Sequence, residues 1–149
     1  MQSYPETRAE FSSLSELASL RLFIENYANQ VEVDESTRYD IQLAATELVT
    51  NALVHGYRSQ NGWVEVVLQR IGPEFHILLR DRAPAFDPTQ VRPPHLNVPF
   101  EQRGFGGWGI YLACQSARSM NYDRLPAGIN QVRLVFAIID KEMSNGNGN

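Results

Sequence analysis

The stretch IQLAATELVTNALVHGY, Ile41 to Tyr57, reads as one helix and sets the rest of the chain around it. At about 100° per residue, Glu47, Asn51 and His55 fall at i, i+4 and i+8 and form one polar ridge. Leu43 and Ala44 sit on the same ridge one turn earlier, while Ile41, Ala45, Leu48 and Ala52 supply an adjoining apolar face. A carboxylate and an amide in this setting are expected to be half-buried, since a solvated helix surface usually carries Lys, Arg or Gln there. A polar face that merely borders water is the plainer alternative and stays open at this point.

Outward from the ridge, helical spacing also runs from Leu14 to Gln30, with Leu17, Leu20, Ile24, Tyr27, Ala28 and Val31 in phase. Ser13-Leu14-Ser15-Glu16 before it matches a capping box. Arg21 lies on the exposed side of this helix. Thr7 to Phe11 is a candidate edge strand, and Asp34 or Glu35 starts the second helix, which ends at Gly56. From Trp63 the period changes to two: Val64, Val66 and Leu68 alternate with Glu65, Val67 and Gln69, a turn follows at Ile71 to Glu74, and Phe75, Ile77 and Leu79 alternate up to Arg80. The hairpin delivers Asp81 to a strand end, directly before Arg82-Ala83-Pro84-Ala85-Phe86-Asp87-Pro88. Thr89 to Arg103, with Pro93, Pro94 and Pro99, is a long loop of the kind used for lids or binding. A glycine run, a short helix from Ile110 to about Ala117, and strands at Ser119 to Leu125 and Gln131 to Ile139 complete the pattern. Residues 1–143 are expected to form a single domain, with a polar Gly/Asn tail at 144–149.

The chain has 149 residues, 43% of them hydrophobic, which suits one domain with one core. A formal charge of −4 and the lack of any basic run argue against a phosphate-backbone binder of nucleic acid. Of the 13 basic residues every one but Lys141 is arginine. That excludes the phosphate loop GxxxxGK[ST] and the strand lysine of eukaryotic-type kinases. Cys114 stands alone, so an intramolecular disulfide is excluded and a reducing cytoplasm is the expected compartment. No apolar run reaches the roughly 18 residues of a membrane span, and none near Met1 to Glu10 resembles a signal peptide.

Gly104, Gly106 and Gly109 satisfy GxGxxG formally, yet a proline-rich loop precedes them where a dinucleotide fold needs a strand. What remains is a glycine segment feeding a helix N-terminus, where backbone N–H groups and the helix dipole favour an anion such as phosphate. A glycine hinge without a ligand is the alternative.

Taken together, ELVTNALVHGY (Glu47 to Tyr57), DRAPAFDP (Asp81 to Pro88) and GFGGWGIYL (Gly104 to Leu112) resemble the N box and two glycine boxes of the GHKL ATP-binding family. The resemblance is closest to the anti-sigma factor serine/threonine kinases, and it extends through MNYDR and the strand from Asn130 to Phe136. It implies an α/β (α+β) two-layer sandwich, a mixed, mainly antiparallel sheet with helices on one face. It also implies a cytoplasmic, ATP- and magnesium-dependent serine/threonine kinase. Such a protein would be homodimeric, bind a sigma factor and phosphorylate an anti-sigma factor antagonist of the STAS type.

By the same resemblance, Glu47 would be the catalytic base, Asn51 the magnesium ligand and Asp81 the acceptor for the adenine amine. Ala83 and Phe86 would line the base site, and Arg103, Gly104, Gly106, Gly107 and Gly109 would surround the phosphates. His55 would approach a phosphate or water, or else bond backbone at the helix end. Asp87 is expected to cap a turn before Pro88, Trp108, Tyr111 and Cys114 to pack, and Arg21 to touch a partner. Ala83 departs from the family's pattern, which commonly has glycine there; a methyl adds volume beside the base and restricts positive φ. The alternatives are a noncatalytic nucleotide-binding module that sequesters a regulator and a stand-alone ATPase.

Overall fold

The structure, a computed structural model, describes residues 4–91 and 107–140. Strand β1 (Thr7–Phe11) leads through a 3-10 turn (Leu14–Glu16) into helix α1 (Leu17–Gln30), and helix α2 (Glu35–Asn51) follows. A π-helical turn (Ala52–Gly56) ends α2. The hairpin β2 (Val64–Ile71) and β3 (Glu74–Asp81), a 3-10 turn (Pro88–Gln90), helix α3 (Gly107–Gln115), β4 (Ser119–Leu125) and β5 (Ile129–Ala137) complete the order.

The five strands form one sheet in the order β1-β2-β3-β5-β4. All four pairings are antiparallel, so the mixed component of the expected sheet does not occur among the described residues. Period-two patterning explains why one face is dry. Val64, Val66 and Leu68 of β2, Phe75, Ile77 and Leu79 of β3, and Val132, Leu134 and Phe136 of β5 point the same way. They meet Leu20, Ile24 and Ala28 of α1, Ile41, Ala45 and Leu48 of α2, and Ile110 and Ala113 of α3 in one core.

Several boundaries move from their expected places. Ser13 makes no side-chain cap; Glu16 instead accepts from the backbone N–H of Ser12 at 3.2 Å and its hydroxyl at 2.8 Å. The box is therefore shifted by one residue, and the first turn tightens to 3-10 geometry. Asp34 caps α2, with Oδ2 accepting from Thr37 N at 2.9 Å. Its other oxygen accepts from Ile139 N at 3.0 Å, which ties the segment just after β5, a strand that ends at Ala137 and not at the expected Ile139, to the start of α2. Helix α3 begins at Gly107, three residues before the expected Ile110, and stops at Gln115. Strand β5 starts two residues early, at Ile129, because Ala127 and Gly128 (φ 66° and 72°) complete the reversal in the left-handed region. The 3-10 turn takes Thr89 and Gln90 out of the expected loop, of which residues 92–103 lie outside the described residues, as does the 144–149 tail. Among the described residues no helix is long and apolar enough to cross a membrane.

Candidate functional site

Where the C-terminal end of α2 overhangs the ends of β3 and β5, a cavity of about 320 Å³ opens. Leu48, Ala52, Val64, Leu79 and Val132 give it an apolar floor, and Ala83 to Phe86 form a side wall. Polar groups enter at four points: Asn51, His55, Asp81 and Asn130. The volume lies within the roughly 300–1,000 Å³ of small-molecule sites, and the mix of apolar wall and few convergent polar groups is typical of them.

The ridge on α2 reaches the site in two parts. Asn51 is half-buried and lines the cavity, and His55 is exposed at its rim. The π-helical turn begins after Asn51 and contains His55. Tyr57 N bonds Ala52 O at 2.8 Å, a five-residue step that inserts one extra residue into the turn and alters the direction in which His55 leaves the helix. Glu47 is half-buried as expected, but it stands against α3 and not among the cavity lining. A Cβ built on Gly109 would lie 2.2 Å from Glu47 Oε2 and 2.8 Å from its Cδ. Only a residue without a side chain lets the carboxylate lie against the first turn of α3, where the helix dipole favours a negative charge. Cys114 is half-buried nearby. Burial, with the Glu47 carboxylate adding to it, pushes its thiol up to about 11.

Asp81 closes β3. Its Oδ1 accepts from Ala83 N at 3.0 Å and from Asn130 Nδ2 at 2.8 Å, and among the described residues its Oδ2 has no such partner. Asn130 is buried at 4% exposure. Its amide nitrogen also donates to Ala83 O (3.0 Å) and Pro84 O (3.2 Å), while its oxygen accepts from the Tyr122 hydroxyl and from Arg124 Nη1 at 3.0 Å. Arg124 Nη1 donates to Ala83 O as well, at 3.0 Å. The opposite side of this loop is held by Tyr57, whose hydroxyl accepts from Arg82 N at 2.6 Å and donates to Trp63 O at 2.7 Å.

Ala83 is buried, and its φ is not positive. Its methyl group faces Gly56: a Cβ on Gly56 would come within 2.6 Å of it. The missing side chain at 56 thus makes the room that alanine at 83 takes up. Phe86 is 44% exposed at the cavity mouth, and Asp87 caps the 3-10 turn through Thr89 N at 2.9 Å. Arg21 is exposed on α1. Of the expected phosphate-site residues, Gly107 and Gly109 fall in α3, whereas Arg103, Gly104 and Gly106 lie outside the described residues.

Tyr122, Arg124, Asn130, Gly56 and Tyr57 were not singled out as site residues by the sequence reading. An asparagine near the head of a strand is one available signal, since asparagine is depleted in strands; the resemblance through MNYDR and the strand from Asn130 is another.

An open antiparallel sheet with helices on one face, and a polar-rimmed cavity between the central helix and the strand ends, define the histidine kinase-like ATPase architecture. A family model described as histidine kinase-like ATPase domain matches residues 12–136, and the chain belongs to that family. Among curated relatives it is 27% identical over 97 residues to the serine-protein kinase RsbW of Oceanobacillus iheyensis, covering 62% of this chain and 61% of that one. It is also 27% identical over 100 residues to RsbW of Bacillus cereus, covering 64% and 62%. The chain thus spans less than two thirds of the length of these relatives. Among solved structures, the RsbU and RsbW domains of a Mycobacterium tuberculosis protein superpose with a TM-score of 0.63 at 18% identity, covering 91% of this chain and 32% of that one. The histidine kinase domain of a blue-light activated Erythrobacter litoralis kinase gives 0.52 at 13%, covering 91% and 65%. Both share the fold.

Proposed function

We propose that the chain is an ATP-dependent serine/threonine protein kinase of the anti-sigma factor type, whose acceptor is an anti-sigma factor antagonist of the STAS type. The observation that carries this is the division of Asp81: one oxygen is saturated by the protein, and the other has no described partner beside an apolar cavity. An ionised carboxylate only accepts hydrogen bonds, so the free oxygen suits an amine such as that of adenine. Ala83 and Phe86 flank the base in this reading. The methyl at 83 lies toward Gly56 and the residue needs no positive φ, which supports a base site that tolerates alanine at that position.

Phosphates leaving the base site would run toward α3 and the glycine segment, where Gly107 and Gly109 stand, with Arg103, Gly104 and Gly106 proposed alongside them. Asn51 offers a side-chain oxygen to magnesium. Among the described residues no group of three or more His, Cys, Asp or Glu is placed to hold a metal. A single amide oxygen therefore fits magnesium shared with phosphates better than a protein-caged ion. Magnesium, when bound, neutralises charge on the phosphates. Glu47 accepts the proton of the acceptor hydroxyl as its oxygen bonds the terminal phosphorus and the bridging bond to the leaving diphosphate breaks. Its position against the first turn of α3 fits that role, because it faces the helix expected to border the phosphates. His55, exposed at the rim, is assigned a water- or phosphate-facing role.

The reading includes sigma-factor binding, with Arg21 on α1 as one contact, and a homodimer; the relatives named serine-protein kinase support its kinase part alone. Transfer of labelled phosphate from ATP to a STAS-type antagonist tests it directly. Transfer by the wild-type chain and its loss in Glu47→Ala are expected, and equal, negligible transfer by both would overturn the kinase assignment. Asn51→Ala should abolish magnesium-dependent ATP binding while leaving helical circular dichroism intact.

A further inference from the structure

The sheet register sets Asp81 beside Asn130 and Asn130 beside Arg124, three neighbouring strands contributing one residue each to a single row on the helix-covered face. Residues paired across strands sit about 4.5–5.5 Å apart at Cβ, close enough for continuous side-chain bonding. In such a row the orientation of the asparagine amide decides what Asp81 presents to the cavity.

Two classes of partner fix that orientation. A guanidinium can only donate, so the amide oxygen must face Arg124; backbone carbonyls can only accept, so the amide nitrogen must face Ala83 and Pro84. Turned by 180°, the amide would set its oxygen against Asp81 Oδ1 and two carbonyl oxygens. The carboxylate would then have to rotate or move. The Tyr122 hydroxyl adds a second donor on the correct side. In the observed orientation Asp81 Oδ1 is consumed by two donors, and Oδ2 is the oxygen left for a ligand.

We propose that Arg124 and Tyr122 of β4 are positioning residues for base selection: by locking the Asn130 amide they hold Asp81 with one acceptor oxygen toward the cavity, which favours a 6-amino over a 6-oxo purine nucleotide. This rests on reading the cavity as a nucleotide site. It adds that discrimination depends on a strand outside the cavity lining. Arg124, at an exposed position, contributes through Asn130 and Ala83 O, with no contact to the base required.

The test is calorimetric titration of the full chain with ATP and with inosine triphosphate, for wild type, Arg124→Met, Tyr122→Phe and Arg124→Lys. Loss of one locking hydrogen bond is expected to narrow the ATP preference by about tenfold in Arg124→Met and less in Tyr122→Phe. Arg124→Lys, which keeps a donor, should recover part of the preference. A merely structural role would lower the melting temperature and weaken both nucleotides alike. ATP binding with the same preference in Arg124→Met and Tyr122→Phe as in wild type would overturn this proposal alone. A wild-type chain that binds neither nucleotide would overturn the nucleotide reading and this proposal with it, whereas equal wild-type binding of both would remove the selective role of Asp81.

Discussion

Replacing Gly109 with alanine should displace the Glu47 carboxylate while leaving the fold in place. The new methyl carbon would start 2.2 Å from Oε2, 2.8 Å from Cδ and 3.2 Å from Oε1. Ordinary carbon contacts lie near 3.5–4.0 Å, so the carboxylate must retreat by about 1 Å. It sits at the flexible end of its side chain, and rotating it off a preferred rotamer costs about 0.5–1.5 kcal/mol. Alanine in a helix gains about 1 kcal/mol over glycine. The two effects nearly cancel, and stability should change by about 1 kcal/mol or less. The catalysis proposed for Glu47 has no such compensation, because a misplacement of about 1 Å at a reacting group costs roughly 100-fold. Single-turnover phosphoryl transfer to a serine-bearing acceptor, paired with calorimetric ATP binding, reads the two effects separately. Transfer should fall about 100-fold with ATP affinity within about threefold of wild type. Adding Gly109→Ala to a Glu47→Ala chain should change transfer little further, since the group it displaces is already gone. Wild-type transfer by a folded Gly109→Ala chain would refute the link between the α3 contact and the role of Glu47.

Gly56→Ala should destabilise the chain by about 1–3 kcal/mol, because its methyl would meet Ala83 at 2.6 Å; Ala83→Gly in the same chain should restore most of the loss, measured by urea unfolding. Asp34→Ala should cost about 1–2 kcal/mol through the lost helix cap. Burial opposes the charge on Asp34, but hydrogen bonds from Thr37 and Ile139 outweigh it and hold the carboxyl below its ordinary 3.8. Its contribution is therefore complete above the unfolded pKa of about 3.9 and is lost as pH falls through the lower folded value, so Asp34→Asn should flatten this part of the acid limb of a stability profile. Cys114, with its thiol pushed up to about 11, should alkylate slowly at pH 7, where only about one part in 10⁴ is thiolate; Glu47→Gln should speed the reaction modestly by removing the lesser of the two causes.

The ridge of Glu47, Asn51 and His55 was legible because a helix repeats its faces within a few residues, so one local stretch holds both the pattern and the chemistry. The hairpin was legible for the same reason: alternation in β2 and β3 and the connecting turn are all local, and Asp81 followed at the strand end. Sheet order and the row from Asp81 to Arg124 were not legible. They depend on the pairing of β3 with β5, which are separated by the loop, α3 and β4, and one residue of slip would turn Asn130 to the other face. The π-helical turn escaped because nothing in ALVHG distinguishes a five-residue step from a four-residue one. The early start of α3 escaped because glycine is a poor helix former in isolation; contact with α2 at Gly109 favours a bare backbone there.

That last contrast changes how the glycine segment should be understood. As a sequence, its glycines suggest only flexibility and backbone approach to an anion. In the fold, Gly109 has a narrower task, since it makes room for the carboxylate of Glu47. Gly56 does the same for the methyl of Ala83. In both pairs a side chain fills space that a glycine elsewhere leaves: Glu47 of α2 against α3, and Ala83 of the cavity wall against the turn that ends α2. The alanine that departs from the family's glycine pattern is thus matched across the interface, and exchanging it alone would open a gap there. The double substitution at 56 and 83 tests whether the two positions act as a unit: if Gly56→Ala and Ala83→Gly simply add, the matching has no energetic content. A coupling of about 1 kcal/mol or more would mean that the wall of the cavity and the end of α2 are set together.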